Sequence, residues 1–135
     1  MSCREKKVVN TDQAPAPIGP YSVGATGGPF VFTAGQIGLA PKTGLIVEGG
    51  IEAETRQALT NLNGILEAAN SCMDNVVKTT VFLRDINDFA RMNDVYAEFF
   101  KENPPARSTV QAAALPKNAA VEIEAIALVC KDEDC

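Results

Sequence analysis

Residues 104–128, with the sequence PPARSTVQAAALPKNAAVEIEAIAL, constrain the fold more than any other stretch of the chain. They predict a strand that starts at Arg107, a turn at 115–118 and a returning strand that carries two glutamates. Alternate side chains of a strand share a face, so an apolar face of the second strand is expected in the core: Val121, Ile123, Ala125, Ala127 and Val129. We expect the two strands to be neighbours, so that the guanidinium of Arg107 and a carboxylate could hold a small polar ligand between them.

The rest of the chain alternates short apolar strands with two amphipathic helices. Strands are predicted near residues 5–10, 21–25, 30–33 and 76–83, and helices over 51–69 and from 87 or 88 to about 101. The second helix is expected to bury a stripe that includes Phe89, Met92 and Tyr96. The predicted fold class is α+β, with a mixed sheet of five or six strands and two helices on one face. Because two helices cover only one face, the other apolar face predicts a homo-oligomer.

Composition narrows the function classes. The 135 residues predict one domain over 1–130 with a short charged tail over 131–135, and the net charge of −5 argues against nucleic acid as a partner. The chain has no histidine, which removes the commonest general base and the commonest metal ligand. No apolar run suits a membrane span or a signal peptide. Four scattered cysteines predict reduced thiols, and the expected location is cytoplasmic.

Two charged side chains could carry chemistry, and each has a simpler alternative. Arg107 offers a planar fork that matches a carboxylate, or it forms a structural ion pair with Glu122 or Glu124. Glu122 could be a general base in a dry cleft, or a solvated charge on a strand face. Tyr21 follows a proline-rich loop and could line a pocket or pack in the core or an interface. Asn93 lies off the apolar stripe of the second helix, where solvent exposure is the simpler expectation.

Several short segments, taken in order, resemble one known family. These segments are Ile18-Gly19-Pro20-Tyr21, Thr33-Ala34-Gly35-Gln36, Val77-Lys78-Thr79-Thr80-Val81, Pro105-Ala106-Arg107-Ser108 with Leu115-Pro116, and Val121-Glu122-Ile123-Glu124. Together they resemble the Rid family, also called the YjgF or reactive intermediate deaminase family, in its RidA type. The resemblance covers nearly the whole chain.

The resemblance implies a chorismate-mutase-like fold and a homotrimer with ligand clefts between subunits. It implies that Arg107 binds the substrate carboxylate, that Glu122 positions water, and that Tyr21 and Asn93 lie at the site. Many bacterial members have Cys where this chain has Thr109, which is replaceable if the residue works through its backbone carbonyl. Many also have Ser where this chain has Ala34, so a hydroxyl of the substrate-binding site is lost here.

The implied reaction is the hydrolytic deamination of enamines and imines, such as 2-aminoacrylate and 2-iminopropanoate, to 2-oxo acids and ammonium. A site with an arginine, a glutamate and a tyrosine has no strong nucleophile, but an imine is already electrophilic enough to accept water. No cofactor and no metal are expected. Two alternatives stay open: an endoribonuclease or translation inhibitor, and a non-catalytic module that binds small carboxylates or acts as a holdase.

Overall fold

A mixed β-sheet, with two helices packed on one of its faces, forms the fold in the computed structural model, which describes residues 5–131. Seven strands are present in this range: β1 (Lys7–Val9), β2 (Gly24–Gly27), β3 (Phe30–Thr33), β4 (Gln36–Ile37), β5 (Val76–Leu83), β6 (Ala106–Gln111) and β7 (Val121–Leu128). The helices are α1 (Gly50–Ala68) and α2 (Phe89–Phe99). The predicted α+β class and the two-helix arrangement are confirmed, and β4 is a further short strand.

The strand order is β1-β2-β3-β7-β5-β6, and β4 pairs with β7 beyond the end of β3. All pairs are antiparallel except β5 and β6, which are parallel and are connected through α2. Parallel neighbours need such a crossover, because the end of the first strand and the start of the second lie at opposite edges of the sheet. The expectation that β6 and β7 are neighbours was wrong, since β5 lies between them.

Both helices end where their sequences favour a left-handed residue. Helix α1 begins after Gly49, whose φ of 121° suits glycine, and ends before Asn70, whose φ is 58°. The amide of Ser71 closes the last turn on the carbonyl of Leu66 at 2.8 Å. Helix α2 ends at Phe99, two residues earlier than predicted, because the chain must turn through Asn103 before its two prolines.

One face of the sheet and the two helices enclose the core, whereas the opposite face is open. The inward face of β7 is buried as predicted, together with the apolar stripe of α1: Ala58, Leu59, Leu62, Ile65 and Leu66. The open face keeps large apolar side chains in solvent, with Phe32 46% exposed, Val110 47% and Leu128 40%. The prediction of an apolar face that the helices leave uncovered is therefore confirmed.

The two cysteines among the described residues differ in oxidation state. Cys72 is a free, partly buried thiol, whereas Cys130 takes part in a disulfide. The prediction of reduced thiols is thus met at Cys72 and wrong at Cys130. Cys3 and Cys135 lie outside the described residues, as do residues 132–135 of the predicted charged tail.

Candidate functional site

Arg107 lies on the edge strand β6, directly opposite Thr79 of β5, and its side chain points toward helix α2. Its guanidinium carbon lies 4.7 Å from the ring centroid of Tyr96 and 5.4 Å from that of Phe89. Among the described residues it forms no ion pair with a carboxylate, so the predicted alternative of a structural pair is not observed. A cleft of about 490 Å³ opens beside it, lined by Asn93, Tyr96, Ala97, Phe100, Pro104 and Pro105.

Two polar atoms near Arg107 are buried without a hydrogen-bond partner among the described residues. They are Oδ1 of Asn93, which lines the same cleft, and Oγ1 of Thr109, which shares a strand face with Arg107. A buried acceptor without a partner costs free energy, and such atoms commonly mark a place where a ligand completes the bonding. Asn93 is therefore turned inward rather than to solvent.

We define these three residues, Arg107, Asn93 and Thr109, as the arginine half-site. It offers a permanent positive charge and an amide oxygen at one open cleft, and a hydroxyl oxygen on the same strand face as the arginine. A guanidinium that pairs with no acid between residues 5 and 131 can bind a carboxylate from solution.

Glu122 lies on β7, half-buried, with its carboxylate against the backbone of Gly35. A Cβ atom at position 35 would lie 2.8 Å from the carboxyl carbon, so a residue larger than glycine would force the end of the Glu122 side chain to move. Burial raises the pKa of Glu122, and the negative charge of Glu124, two residues along the same strand face, raises it further. A carboxylate in this state is suited to accept a proton from water.

Tyr21 reaches the same place from the proline-rich loop. Its ring is 49% exposed, and its hydroxyl accepts a hydrogen bond of 3.3 Å from the amide of Ile18. Tyr21 and Glu122 line a small cavity of about 70 Å³ together with apolar neighbours, which include Ile18, Val23, Ile37, Leu39 and Pro116. Space of this size accommodates about two water molecules.

We define Glu122, Tyr21 and Gly35 as the glutamate half-site. Ala34 adjoins it in sequence, and its amide and carbonyl are both used within the chain. The amide of Ala34 donates to the carbonyl of Val23 at 2.8 Å, and its carbonyl accepts from Nε2 of Gln36 at 3.4 Å.

The two half-sites lie on opposite faces of the sheet. Arg107 is opposite Thr79, which is itself opposite Ala125 on β7, and side chains opposite each other share a face. Ala125 is buried beneath the helices, and Glu122, three residues away along β7, points to the other face. A single chain therefore does not bring Arg107 and Glu122 together, and the prediction that a ligand lies between them on neighbouring strands was wrong within one subunit.

Three residues of this region were not predicted as part of the site. Phe89 was assigned to the buried stripe of α2, but it is 40% exposed and lies on the guanidinium of Arg107. Tyr96 was assigned to the same stripe, and Gly35 was known only as part of a motif. The spacing of Phe89, Asn93 and Tyr96 places them on one helix face and could have signalled a shared task.

No group of three or more His, Cys, Asp or Glu side chains between residues 5 and 131 could hold a metal ion. Within the same range, neither helix has the length and apolar character needed to span a bilayer.

Comparison with known proteins gives consistent matches over nearly the whole chain. Residues 11–129 match the family model described as endoribonuclease L-PSP. A RutC family protein of Pyrococcus horikoshii is 55% identical over 122 residues, which cover 90% of this chain and 97% of that protein. The 2-iminobutanoate/2-iminopropanoate deaminase of Bos taurus is 49% identical over 128 residues, which cover 95% and 93%.

A solved structure agrees with the fold described above. The crystal structure of E. coli TdcF with bound serine superposes with a TM-score of 0.87 at 43% identity, covering 92% of this chain and 99% of TdcF. Every residue of both half-sites lies within the region that matches the family model.

Proposed function

This chain belongs to the endoribonuclease L-PSP family, which includes the Rid and YjgF proteins, and on that premise we propose that it is a deaminase of 2-imino acids. It hydrolyses reactive enamine and imine intermediates, such as 2-aminoacrylate and 2-iminopropanoate, to 2-oxo acids and ammonium. The observation that carries the proposal is the guanidinium of Arg107, which has no acidic partner among the described residues and opens on a cleft that Asn93 lines with an unpartnered Oδ1. The solved relative TdcF with bound serine shows that a related protein holds a small amino acid.

The active unit is proposed to be a homotrimer whose clefts lie between subunits. Two features support it: the half-sites lie on opposite faces of one sheet, and the open face carries exposed apolar side chains that a second copy would cover. A neighbouring subunit would bring its glutamate half-site against the arginine half-site of the first. Each cleft then contains one Arg107 and one Glu122 from different chains.

Within the cleft, Arg107 binds the substrate carboxylate through its planar fork of N–H donors. The carboxylate of Glu122 takes a proton from water as the water oxygen attacks the imine carbon. This step forms a C–O bond and converts the C=N double bond to a single bond, and the Glu122 carboxyl returns its proton to the nitrogen. The resulting carbinolamine loses ammonia as its hydroxyl becomes the carbonyl of the 2-oxo acid. Oxidation states do not change, so the reaction needs no cofactor.

The other predicted residues are proposed to bind the substrate. The free Oδ1 of Asn93 can accept an N–H of the imine, and Thr109 offers its unpartnered Oγ1 or its backbone carbonyl. Tyr21 lines the small cavity beside Glu122, and this cavity is the proposed place of the attacking water. Ala34 contributes main chain only, since it lacks a hydroxyl. A cytoplasmic location and a single domain over 1–130 stay predictions.

The family description names an endoribonuclease, and this activity is the second candidate. RNA binding requires cationic side chains that neutralise phosphates, whereas this chain carries a net charge of −5 and no histidine. Neither half-site contains a cluster of Lys and Arg. The imine hydrolase is therefore the favoured function.

The decisive measurement is the release of 2-oxo acid and ammonia from imino acids that an amino-acid oxidase generates in the assay. We expect the wild-type protein to accelerate release roughly hundreds- to thousands-fold over a protein-free blank. Arg107→Ala should lower kcat/KM by roughly 100-fold or more, because it removes the charge that holds the carboxylate. Glu122→Gln should lower kcat while the substrate still binds.

Two surface variants serve as controls. Arg56→Ala removes an arginine that forms an exposed ion pair with Glu98, and Glu67→Gln changes an exposed carboxylate on α1. Both should retain wild-type rates. A folded wild-type oligomer that releases product no faster than the blank would refute the deaminase, and cleavage of RNA that needs Arg107 would favour the second candidate.

A further inference from the structure

Phe89 and Tyr96 of helix α2 both contact the guanidinium of Arg107. The guanidinium carbon lies within 6 Å of both ring centroids, which is the range of a cation–π interaction. The two rings come from positions seven residues apart, on one face of the helix. The guanidinium of Arg107 therefore contacts two aromatic rings, and among the described residues it forms no ion pair with an acid.

Tyr96 is held in place by contacts with the core side of the sheet and with its own helix end. It is 6% exposed, its ring lies 4.6 Å from that of Phe100, and its hydroxyl shares a hydrogen bond of 2.7 Å with the hydroxyl of Thr79. Thr79 is fully buried and is the residue directly opposite Arg107 in the sheet. The strand that neighbours Arg107 thus also holds the ring on which Arg107 lies.

Phe89, in contrast, remains 40% exposed at the start of α2. Its ring contacts the guanidinium of Arg107, and Phe89 does not belong to the core cluster of the described residues. Phe99 of the same helix differs, because it is partly buried and packs against the core cluster. The two phenylalanines therefore separate contact with Arg107 from packing of the helix.

Taking Arg107 as the carboxylate anchor of the proposed function, we propose that Phe89 and Tyr96 form an aromatic seat that positions this anchor. Rings on the guanidinium restrict the rotation of a long, flexible side chain, so less entropy is lost when its N–H fork meets a carboxylate. Phe89 and Tyr96 are positioning residues that act through Arg107.

The seat predicts an effect on binding that is separate from the chemical step. A positioning group that acts equally on the bound substrate and on the transition state raises KM when it is lost and leaves kcat in place. Phe89→Leu should therefore raise KM by about 3- to 10-fold with little change in kcat. Phe89→Tyr keeps an aromatic ring at this exposed position, so its KM should stay close to that of wild type.

The control is Phe99→Leu, the same substitution in the same helix without contact to Arg107. It should lower the melting temperature at least as much as Phe89→Leu and leave KM within about twofold of wild type. The seat is wrong if Phe89→Leu keeps the wild-type KM, if Phe99→Leu raises KM equally, or if Phe89→Tyr raises KM as much as Phe89→Leu.

A binding measurement keeps this test independent of turnover. Pyruvate, a 2-oxo acid that carries the same carboxylate and does not react, can be titrated into the full-length protein by calorimetry. Phe89→Leu should weaken pyruvate binding by the same factor as it raises KM. If wild type binds pyruvate without hydrolysing imines, the proposed function fails while the seat is still decided by the dissociation constants. If wild type does not bind pyruvate, the seat fails as well.

Discussion

Glu122 is the residue whose surroundings bear most directly on the pH dependence of the protein. Burial and the charge of Glu124 both disfavour its ionised form, so its pKa in the folded protein lies above the ordinary value. The folded state therefore holds this proton more tightly than the unfolded state does. The contribution of Glu122 to stability is greatest below the ordinary glutamate pKa, and it declines as the pH rises through the raised value.

Removing the neighbouring charge should move the activity profile. In Glu124→Gln the pKa of Glu122 falls toward the ordinary value, because a like charge on the same strand face is gone. The acidic limb of kcat/KM against pH should then shift to lower pH, since the base stays ionised longer. The shift should shrink as salt is added, because Glu124 is exposed and screened. Steady-state kinetics from acidic to neutral pH at two ionic strengths measure both effects.

Glu67→Gln is the matched control for this profile, since Glu67 is an exposed carboxylate on α1, away from β7. Its acidic limb should coincide with that of wild type. A limb that stays in place in Glu124→Gln would mean that Glu122 does not titrate in the rate-determining state.

Sequence alone proposed the charged residues of the candidate site but not their surroundings. Arg107 and Glu122 stand in recognisable motifs, whereas the contact between Phe89 and Arg107 joins residues 18 positions apart in different elements. Periodicity marks Phe89 as part of an apolar stripe, and it cannot show that a cation rather than the core covers the ring. The family resemblance placed Asn93 at the site, whereas its position off the apolar stripe favoured solvent, since the burial of its Oδ1 depends on the cleft beside β6.

At the scale of elements, Glu54 connects helix α1 to the start of β7. It is 7% exposed, and its Oε1 accepts a hydrogen bond of 2.8 Å from the amide of Ala120, two residues before Glu122. Its backbone also lies against Gly38, where a Cβ would come within 2.7 Å of the Glu54 Cα. The helix thereby fixes the position at which β7 enters the sheet.

Glu54→Ala should destabilise the fold by about 1–3 kcal/mol, because it leaves the buried amide of Ala120 without an acceptor. Urea unfolding at one fixed protein concentration measures the loss, since an oligomer's stability depends on concentration. Glu67→Ala, an exposed position on the same helix, should change stability by less than about 0.5 kcal/mol. Equal effects of the two substitutions would contradict the role of the Glu54 bond.

Most element boundaries followed from the sequence, but the strand order did not. The predicted strand over 76–83 matches β5, and the predicted first helix differs from α1 by one residue at each end. The turn at Pro116 suggested that β6 and β7 form a hairpin. The sequence β5-α2-β6 is instead a strand-helix-strand unit, whose strands are parallel neighbours, and β7 pairs on the other side of β5. Strand β4 has two residues, too few for any period.

For the whole molecule, the proposed function makes assembly part of catalysis, because the half-sites lie on opposite faces of one sheet. Each inactive variant, Arg107→Ala or Glu122→Ala, still contributes one intact half-site to its neighbours. If the clefts lie between subunits, co-expressing the two variants should restore activity. In trimers assembled at random, about three quarters are mixed and each has one intact cleft of three, so about a quarter of wild-type activity should return.

The double variant Arg107→Ala/Glu122→Ala, co-expressed with Arg107→Ala, is the control, because no combination of these chains contains an intact cleft. Activity per trimer after size-exclusion chromatography gives the comparison. Mixed trimers without recovered activity would show that both residues act from the same chain.

The opposite orientation of Arg107 and Glu122 has a consequence for inheritance. In the proposed trimer each chain serves two clefts, one with its arginine and another with its glutamate. A folded chain that has lost both residues would therefore silence two of the three clefts of its trimer, although it is one subunit in three. A cell that makes equal amounts of the normal and the defective chain would keep about a quarter of its activity rather than half. Such an allele would be dominant. An allele whose product never folds would instead leave about half of the activity, because every trimer would contain normal chains only.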